Sequence, residues 1–325
     1  MIRPMSLSIV TAAVVLAAGA VQAQTGTWPD RPIRVVVPFP AGSSADVAAR
    51  ILGNELSPRL GQQLVVENRP GASGNIGSDV ISKSPSDGYT LGFATTSTHA
   101  VAVGLNPNLP YDPIKSFAPV ALISVSPYVL VVSPEVKART VAELIALAKA
   151  KPGTIGYGSA GLASLAHLAS ALFESLAGVQ LNHIPYKSSA QSVVDLIAGR
   201  VDMQFATIPP TLTNINAGQL RPLATTGTRR VSALPDVPTM AEAGIPNYEA
   251  SLWLAVVAPA ATPAAIVEKL NREIDDVLNT PQVKSALLAQ GLEVEGGPPQ
   301  VLGARIASDI EKWRKVIAQA GIRAE

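Results

Sequence analysis

The chain alternates short apolar runs with longer amphipathic stretches. Ile33 to Phe39 is apolar except for Arg34 and reads as a strand, followed by the loop Ala41-Gly42-Ser43-Ser44. Helical spacing then runs from about Ala45 to Leu60, and Leu64-Val65-Val66 reads as the next strand. A Gly-rich turn, Pro70 to Gly74, opens a helix to about Lys83, and Asp87-Gly88 turns the chain into a third strand, Tyr89 to Ala94. This βαβαβ order predicts a parallel sheet with helices on both faces.

The pattern then recurs. Val120–Ile123 and Tyr128–Val132 read as two strands, and Thr140-Val141-Ala142-Glu143 forms a capping box for a helix to about Ala150. A short strand at Thr154–Tyr157, a helix over Leu162–Leu176, a strand at Val179–Ile184, a helix over Ser192–Ala198 and a strand at Val201–Phe205 follow. Leu252–Val257 is a late strand. Three helical stretches close the chain, the last with Ile306, Ile310, Trp313 and Ile317 at helical spacing. No long linker separates the halves. The expectation is an α/β fold of two units joined by short strand-like crossings.

Composition narrows the chemistry. At 325 residues the chain is long enough for about two domains. It is 47% apolar and only 15% charged, with a net charge of +1, which supplies no field for nucleic acid or an acidic membrane. With no cysteine, disulfides, thiolate nucleophiles and Cys-ligated metals are excluded. Arg3 precedes an apolar stretch from Ile9 to Val21, and Val21-Gln22-Ala23 has the small-x-small pattern of a cleavage site. Residues 1–23 therefore read as a secretory signal peptide, leaving Gln24 first in the mature chain. No second long apolar run follows, so a soluble, exported product is expected.

Several strands end in loops rich in Gly, Ser and Thr: Pro40–Ser44, Thr95–Thr98, Gly158–Gly161, Ser188-Ser189 and Ala206-Thr207. Ligands of a parallel sheet bind beyond the carboxyl ends of its strands, where helix N-termini offer unpaired N–H groups to an anion. Any single loop is equally readable as an ordinary cap or turn. Gly156-Tyr157-Gly158-Ser159-Ala160-Gly161 matches G-x-G-x-x-G, but its strand is short and Leu181–Ile184 carries no acidic residue for a ribose. There is no G-x-S-x-G, no Walker lysine and no H-E-x-x-H. His99, His167 and His183 show no metal-ligand spacing. His183 reads as a structural residue, His167 as either solvated or turned to a cleft, Lys187 as solvated or facing an anion, and Asp46 as a capping residue. No catalytic residue, metal or cofactor emerges.

With these residues in view, the chain resembles the extracytoplasmic solute-binding proteins of tripartite tricarboxylate transporters, the Bug family. The matching stretches include Trp28–Ile33, Val37–Gly42, Val66–Gly77, Asp87–Leu91, Leu109–Pro113, Phe117–Val120, His183–Lys187, Leu234–Thr239 and Ala258–Pro263. The resemblance implies two doubly wound α/β domains with a hinged ligand cleft, the type II periplasmic binding protein architecture. The domains are expected at residues 24–124 with 251–325, and at 125–250. It also implies a periplasmic monomer without enzymatic activity that passes a small carboxylate to membrane permease subunits. The alternative is a sensor of the same fold that signals to a membrane kinase.

The resemblance places the ligand over Phe39, Ala41, Gly42, Ser43 and Ser44, with Thr96, Ser97, Ser159, Ala160, Gly161, Ser164, His167, Ser188, Ser189, Ala206 and Thr207 around it. The chain departs from the family pattern at several of these positions. Ser43-Ser44 stands where glycines are common, Ser188-Ser189 where a Gly pair often follows Pro-Tyr-Lys, and Ala206-Thr207 in place of an Asp-Asn pair. Leu162 and Leu165 replace an Asn and a Ser, although Leu165 also fits the apolar stripe of its helix. Loss of the acidic partner for an ammonium group favours a less polar carboxylate, aromatic or of medium chain length, over an amino acid.

Overall fold

The computed structural model describes residues 28–186 and 188–323. The expected signal peptide and Lys187 lie outside these residues. Two α/β lobes are built on sheets that share one strand. In the first lobe β1 (Ile33–Val37) leads through α1 (Ser44–Leu60) to β2 (Leu64–Asn68), and α2 (Asn75–Ser82) leads to β3 (Thr90–Thr95). A π-helical turn, Ser97–Val101, then runs straight into α3 (Ala102–Leu105). The shared strand β4 covers Phe117–Val132.

The second lobe carries α4 (Val141–Ala150), β5 (Gly156–Ser159), α5 (Leu165–Ala177), β6 (Asn182–Pro185), α6 (Ser189–Ile197), β7 (Met203–Thr207), α7 (Ile208–Asn216) and β8 (Arg221–Thr225). The chain then returns to the first lobe as β9 (Ser251–Pro259), α8 (Ala264–Leu278), α9 (Pro281–Leu288), the short β10 (Glu293–Val294) and α10 (Pro299–Gln319).

Strand order is β2-β1-β3-β9-β4-β7-β5-β6, with β8 and β10 also on β4. β1, β2 and β3 are mutually parallel, as are β6, β5 and β7, so in each lobe the strand carboxyl ends point one way. β9 runs antiparallel between β3 and β4. The two stretches read as separate strands, Val120–Ile123 and Tyr128–Val132, are one strand. Its first half pairs with β9, and from Tyr128 onward it pairs with β7. Ser126 and Pro127 break the apolar run but still pair with Leu252 and Ser251.

Alternation explains the packing. Ile33, Val35 and Val37 of β1 face Leu52, Leu56, Leu270 and Ile274 on α1 and α8, while Val36 faces the opposite cluster with Ile81 and Trp313. That second cluster continues into the other lobe through Leu144, Leu168, Phe173 and Phe205. A third covers the outer face, where Val129 and Val131 meet Leu196 and Ile208.

The crossings between the lobes are stitched at one residue. Thr226 is fully buried; its backbone N–H donates to Tyr128 O at 2.9 Å and its hydroxyl accepts from Tyr128 N at 2.8 Å. The same hydroxyl donates to Ala250 O, and Ala250 N–H returns to Thr226 O.

Candidate functional site

A cavity of about 1030 Å³ opens between the lobes, beyond the carboxyl ends of the strands. The first lobe contributes Ala72, Ser73 and Asn75 after β2, and Ser97, Val101, Ala102, Leu105, Asn106 and Pro107 after β3. From the second lobe come Ala160, Leu162, Ala163, Ser164 and Leu165 after β5, with Pro185 and Tyr186 from the end of β6. Arg323, beyond α10, completes the lining. Hydroxyl and amide groups thus stand among aliphatic side chains, the usual mixture of a small-molecule site.

Local backbone chemistry builds these walls. Ala72 and Ser73 adopt φ of 46° and 55°, a left-handed kink that puts both at the surface of the first lobe. Behind them Gly74, at φ 96°, lies against Phe39 and Thr98; a Cβ there would sit 2.6 Å from Thr98 Cγ2. Asn75 Oδ1 accepts from Tyr111 OH at 2.9 Å, leaving its Nδ2 group as a donor. On the facing lobe Ser164 caps α5, accepting from His167 N–H at 3.3 Å and donating to Gly161 O at 2.8 Å.

Of the residues expected at the ligand, Ser97, Ala160 and Ser164 line this cavity. The β1–α1 loop lies at the same strand end without lining it. Gly42, at φ 80°, gives its N–H to Asp46 Oδ2 at 2.9 Å, and Ser43 caps α1 by accepting from Asp46 N–H. Asp46 also accepts from Asn68 and Arg50. Burial pushes its carboxyl up, but the bonds from Arg50, Gly42 and Asn68 outweigh that and hold it below the usual range. Ala41 and Ser44 are exposed, and Phe39 O accepts from Asn68 Nδ2 at 3.0 Å.

Several expected residues have their side chains engaged inside the protein. Thr96 Oγ1 accepts from Trp253 N–H and donates to Ser251 O. Ser159 is fully buried, with its hydroxyl 2.7 Å from His183 Nε2 and accepting from Gly161 N–H at 3.1 Å. His167 is mostly buried, 7% exposed, and its Nδ1 accepts from Ala163 N–H at 3.0 Å. Burial first, and the facing His183 second, push its imidazole down to about 4. Ser188 caps α6 and Ser189 Oγ accepts from Gln204 Nε2 at 2.8 Å. Ala206 is buried within β7, and Thr207 O accepts from the Thr211 hydroxyl. Leu165 holds both roles open to it, packing in the core while lining the cavity.

Among the described residues no three His, Asp or Glu side chains cluster as a metal site, and no helix is long and apolar enough to cross a membrane. The glycines of the G-x-G-x-x-G stretch have a packing cause. A Cβ at Gly158 would overlap Ser192 Oγ on α6, and Gly161 takes φ 106° to turn the chain toward α5.

Residues 48–322 match the tripartite tricarboxylate transporter family receptor. The chain belongs to that family. It is 40% identical to protein BugT of Bordetella pertussis over 318 residues, covering 98% of each chain. Among solved structures it is similar to R. palustris Rpa4515 with adipate, at 38% identity and a TM-score of 0.76, covering 91% of this chain and all of the other. It is also similar to MatC from Rhodopseudomonas palustris with bound malate, at 29% identity and a TM-score of 0.72, covering 89% and 100%. As a member of this receptor family the protein is a ligand-binding receptor and not an enzyme.

The expected site residues left out the loop after β2, the stretch from Val101 to Pro107, the end of β6 and the tail after α10, all of which line this receptor's cavity. The Gly-rich turn at Pro70–Gly74 is visible in the sequence as a turn, and its place after a parallel strand is the signal that points to the cavity. No comparable signal marks Arg323.

Proposed function

We propose that the protein captures a small carboxylate in the cavity between its lobes and delivers it to the membrane subunits of a tripartite tricarboxylate-type transporter. Residues 24–124 with 251–325 form one lobe and 125–250 the other, and the cleft closes by bending at the crossings near Thr226. Export through the signal peptide at residues 1–23 puts the receptor in the periplasm, where it works as a monomer.

The observation that carries this reading is the chemistry of the cavity wall. It brings hydroxyl and amide groups at Ser73, Asn75, Ser97 and Asn106 of the first lobe against the largely apolar wall of the second, with no carboxylate side chain among its described residues. Hydrogen bonds to a charged group contribute about 1.5–3 kcal/mol each. Three to five of them, less the cost of association, reach the roughly −8 kcal/mol of micromolar binding. Adipate in one similar protein and malate in another support a carboxylate. The aliphatic wall of Val101, Leu105, Leu162 and Leu165 favours one with an apolar body.

A thermal-shift screen over aliphatic, aromatic and amino-acid carboxylates tests the reading, because a ligand bound only by the folded state raises the melting temperature. A rise with aliphatic or aromatic acids, confirmed by calorimetric titration, is the expected result. Tight binding of aspartate or glutamate with no response to those acids overturns the preference for a less polar body. No response to any carboxylate overturns the carboxylate reading itself.

A further inference from the structure

One charged side chain lines the cavity among its described residues, and it comes from the far end of the chain. α10 stops at Gln319, where Gly321 takes φ 63° and Ile322 N–H returns to Ile317 O at 3.1 Å. This is the left-handed stop that reverses a chain at a helix end. Ile322 packs against the central core cluster, which fixes the path of the tail and sets the next residue, Arg323, on the cavity wall. The helix that carries this tail touches both lobes. It packs on β4 and α3 of the first and on α5 of the second, where Ser175 Oγ donates to Gln319 Oε1 at 3.2 Å.

The rest of the wall sorts into two chemistries. Neutral donors stand at Ser73, Asn75, Ser97 and Asn106, and aliphatic surface at Leu105 and Leu165. Neutral donors suffice for one carboxylate, but a second carboxylate taken out of water without a partner is unfavourable. A guanidinium supplies that partner, because its planar fork matches a carboxylate with two parallel N–H···O bonds.

We propose that Arg323 is a specificity-determining residue that receives the second carboxylate of a dicarboxylate whose first carboxylate lies among the neutral donors. Straight-chain dicarboxylates are then preferred over the monocarboxylates of equal length. This inference rests on the cavity being the carboxylate site.

The test is calorimetric titration of the mature protein with glutarate, adipate, pimelate and suberate, and with pentanoate, hexanoate, heptanoate and octanoate. At least one dicarboxylate is expected to bind about tenfold or more tightly than its monocarboxylate counterpart. Arg323→Gln should weaken that dicarboxylate about tenfold, leave the monocarboxylate within about twofold, and so remove the preference; Arg323→Lys should restore part of it. Equal wild-type affinities within every pair, or a preference that survives in Arg323→Gln, overturns the role of Arg323 while leaving the carboxylate site standing. If the wild type binds none of these eight acids but responds to aromatic acids, the dicarboxylate assignment falls alone. If it responds to no carboxylate of any class, the carboxylate site falls with it.

Discussion

The imidazole rings of His167 and His183 stack with centroids 4.0 Å apart and planes within 15° of each other. Tyr157 lies against the same pair, its ring centroid 4.8 Å from that of His183 and 6.3 Å from that of His167. The rings come from α5, β6 and β5, so the stack joins three elements whose ends form the second-lobe wall of the cavity. Both imidazoles are held neutral, since burial lowers each and two facing charges at this distance repel.

Acidification should therefore loosen the second lobe. Unfolded His167 titrates near its ordinary value of 6.5, whereas in the folded protein it is pushed down to about 4. As pH falls through this window the unfolded chain takes up a proton that the folded chain refuses, so stability is lost progressively and then levels off below about pH 4. In His167→Asn, Oδ1 can still accept from Ala163 N–H but does not titrate. Between pH 7 and 4 the unfolding free energy of the wild type should fall by about 1–3 kcal/mol more than that of the variant. His99, also buried and pushed down to about 3, acts with the same sign in both proteins. Identical pH slopes in urea titrations would count against the stack.

Glu249 precedes β9 on the returning crossing and meets Arg305 at 2.7 Å and Lys312 on α10. Asp309 completes the cluster, pairing with both cations and accepting from Trp253 Nε1 at 2.8 Å. Burial raises the Glu249 carboxyl, but Lys312 and Arg305 outweigh that and keep it below the usual range. Glu249→Ala leaves the cations under-compensated and should cost about 3 kcal/mol, read from the urea midpoint at constant slope. Arg314→Ala, which removes an exposed partner of Glu311, should cost no more than about 1 kcal/mol.

Gly158 is required by packing. Its Cβ would overlap the hydroxyl of Ser192, which is buried and donates to Gln204 Oε1. Gly158→Ala should destabilise by about 1–3 kcal/mol. Ser192→Ala in the same chain should recover part of that loss. Thermal melts of the two single variants and the double variant measure the coupling, and strict additivity would contradict the overlap.

Ala160 is exposed on the cavity wall, so Ala160→Trp fills space without disturbing the core. The melting temperature should stay within about 2 °C of wild type, since surface substitutions usually change stability by no more than about 0.5 kcal/mol. Carboxylate binding, followed by calorimetry, should fall at least tenfold. Unchanged affinity would move the ligand elsewhere.

Much of this architecture can be read directly from residue order. The alternating apolar runs locate most strands, and Thr140 with Glu143 marks the start of α4 as a capping box does. Two of the departures from such reading have a clear physical cause. α7 begins at Ile208 and takes Pro209 and Pro210 in its first turn, where a missing N–H has no helical partner to lose, so residues that look like breakers open a helix. β4 stays continuous through Ser126 and Pro127 because β9 supplies partners across the interruption. The site is less legible for a similar reason. Hydroxyls at Thr96, Ser159 and Ser189 have the chemistry of ligand donors, but tertiary partners far along the chain engage them. Ser73 and Arg323 join the cavity through a left-handed kink and a helix stop, which side-chain chemistry does not announce.

The position of β9 bears on how this molecule is made. β3 and β4 do not pair with each other; β9 lies between them and bonds to both. During synthesis β1, β2 and β3 can assemble early, but the strand that closes the first sheet begins only at Ser251, after the whole second lobe has emerged. The strands of the second sheet, β4 to β8, are all made before that point, while α10, which packs on α5, is made last. A growing chain therefore holds a second sheet with all its strands beside an open edge of the first, and the receptor's first lobe is finished only when roughly the last quarter of the chain arrives.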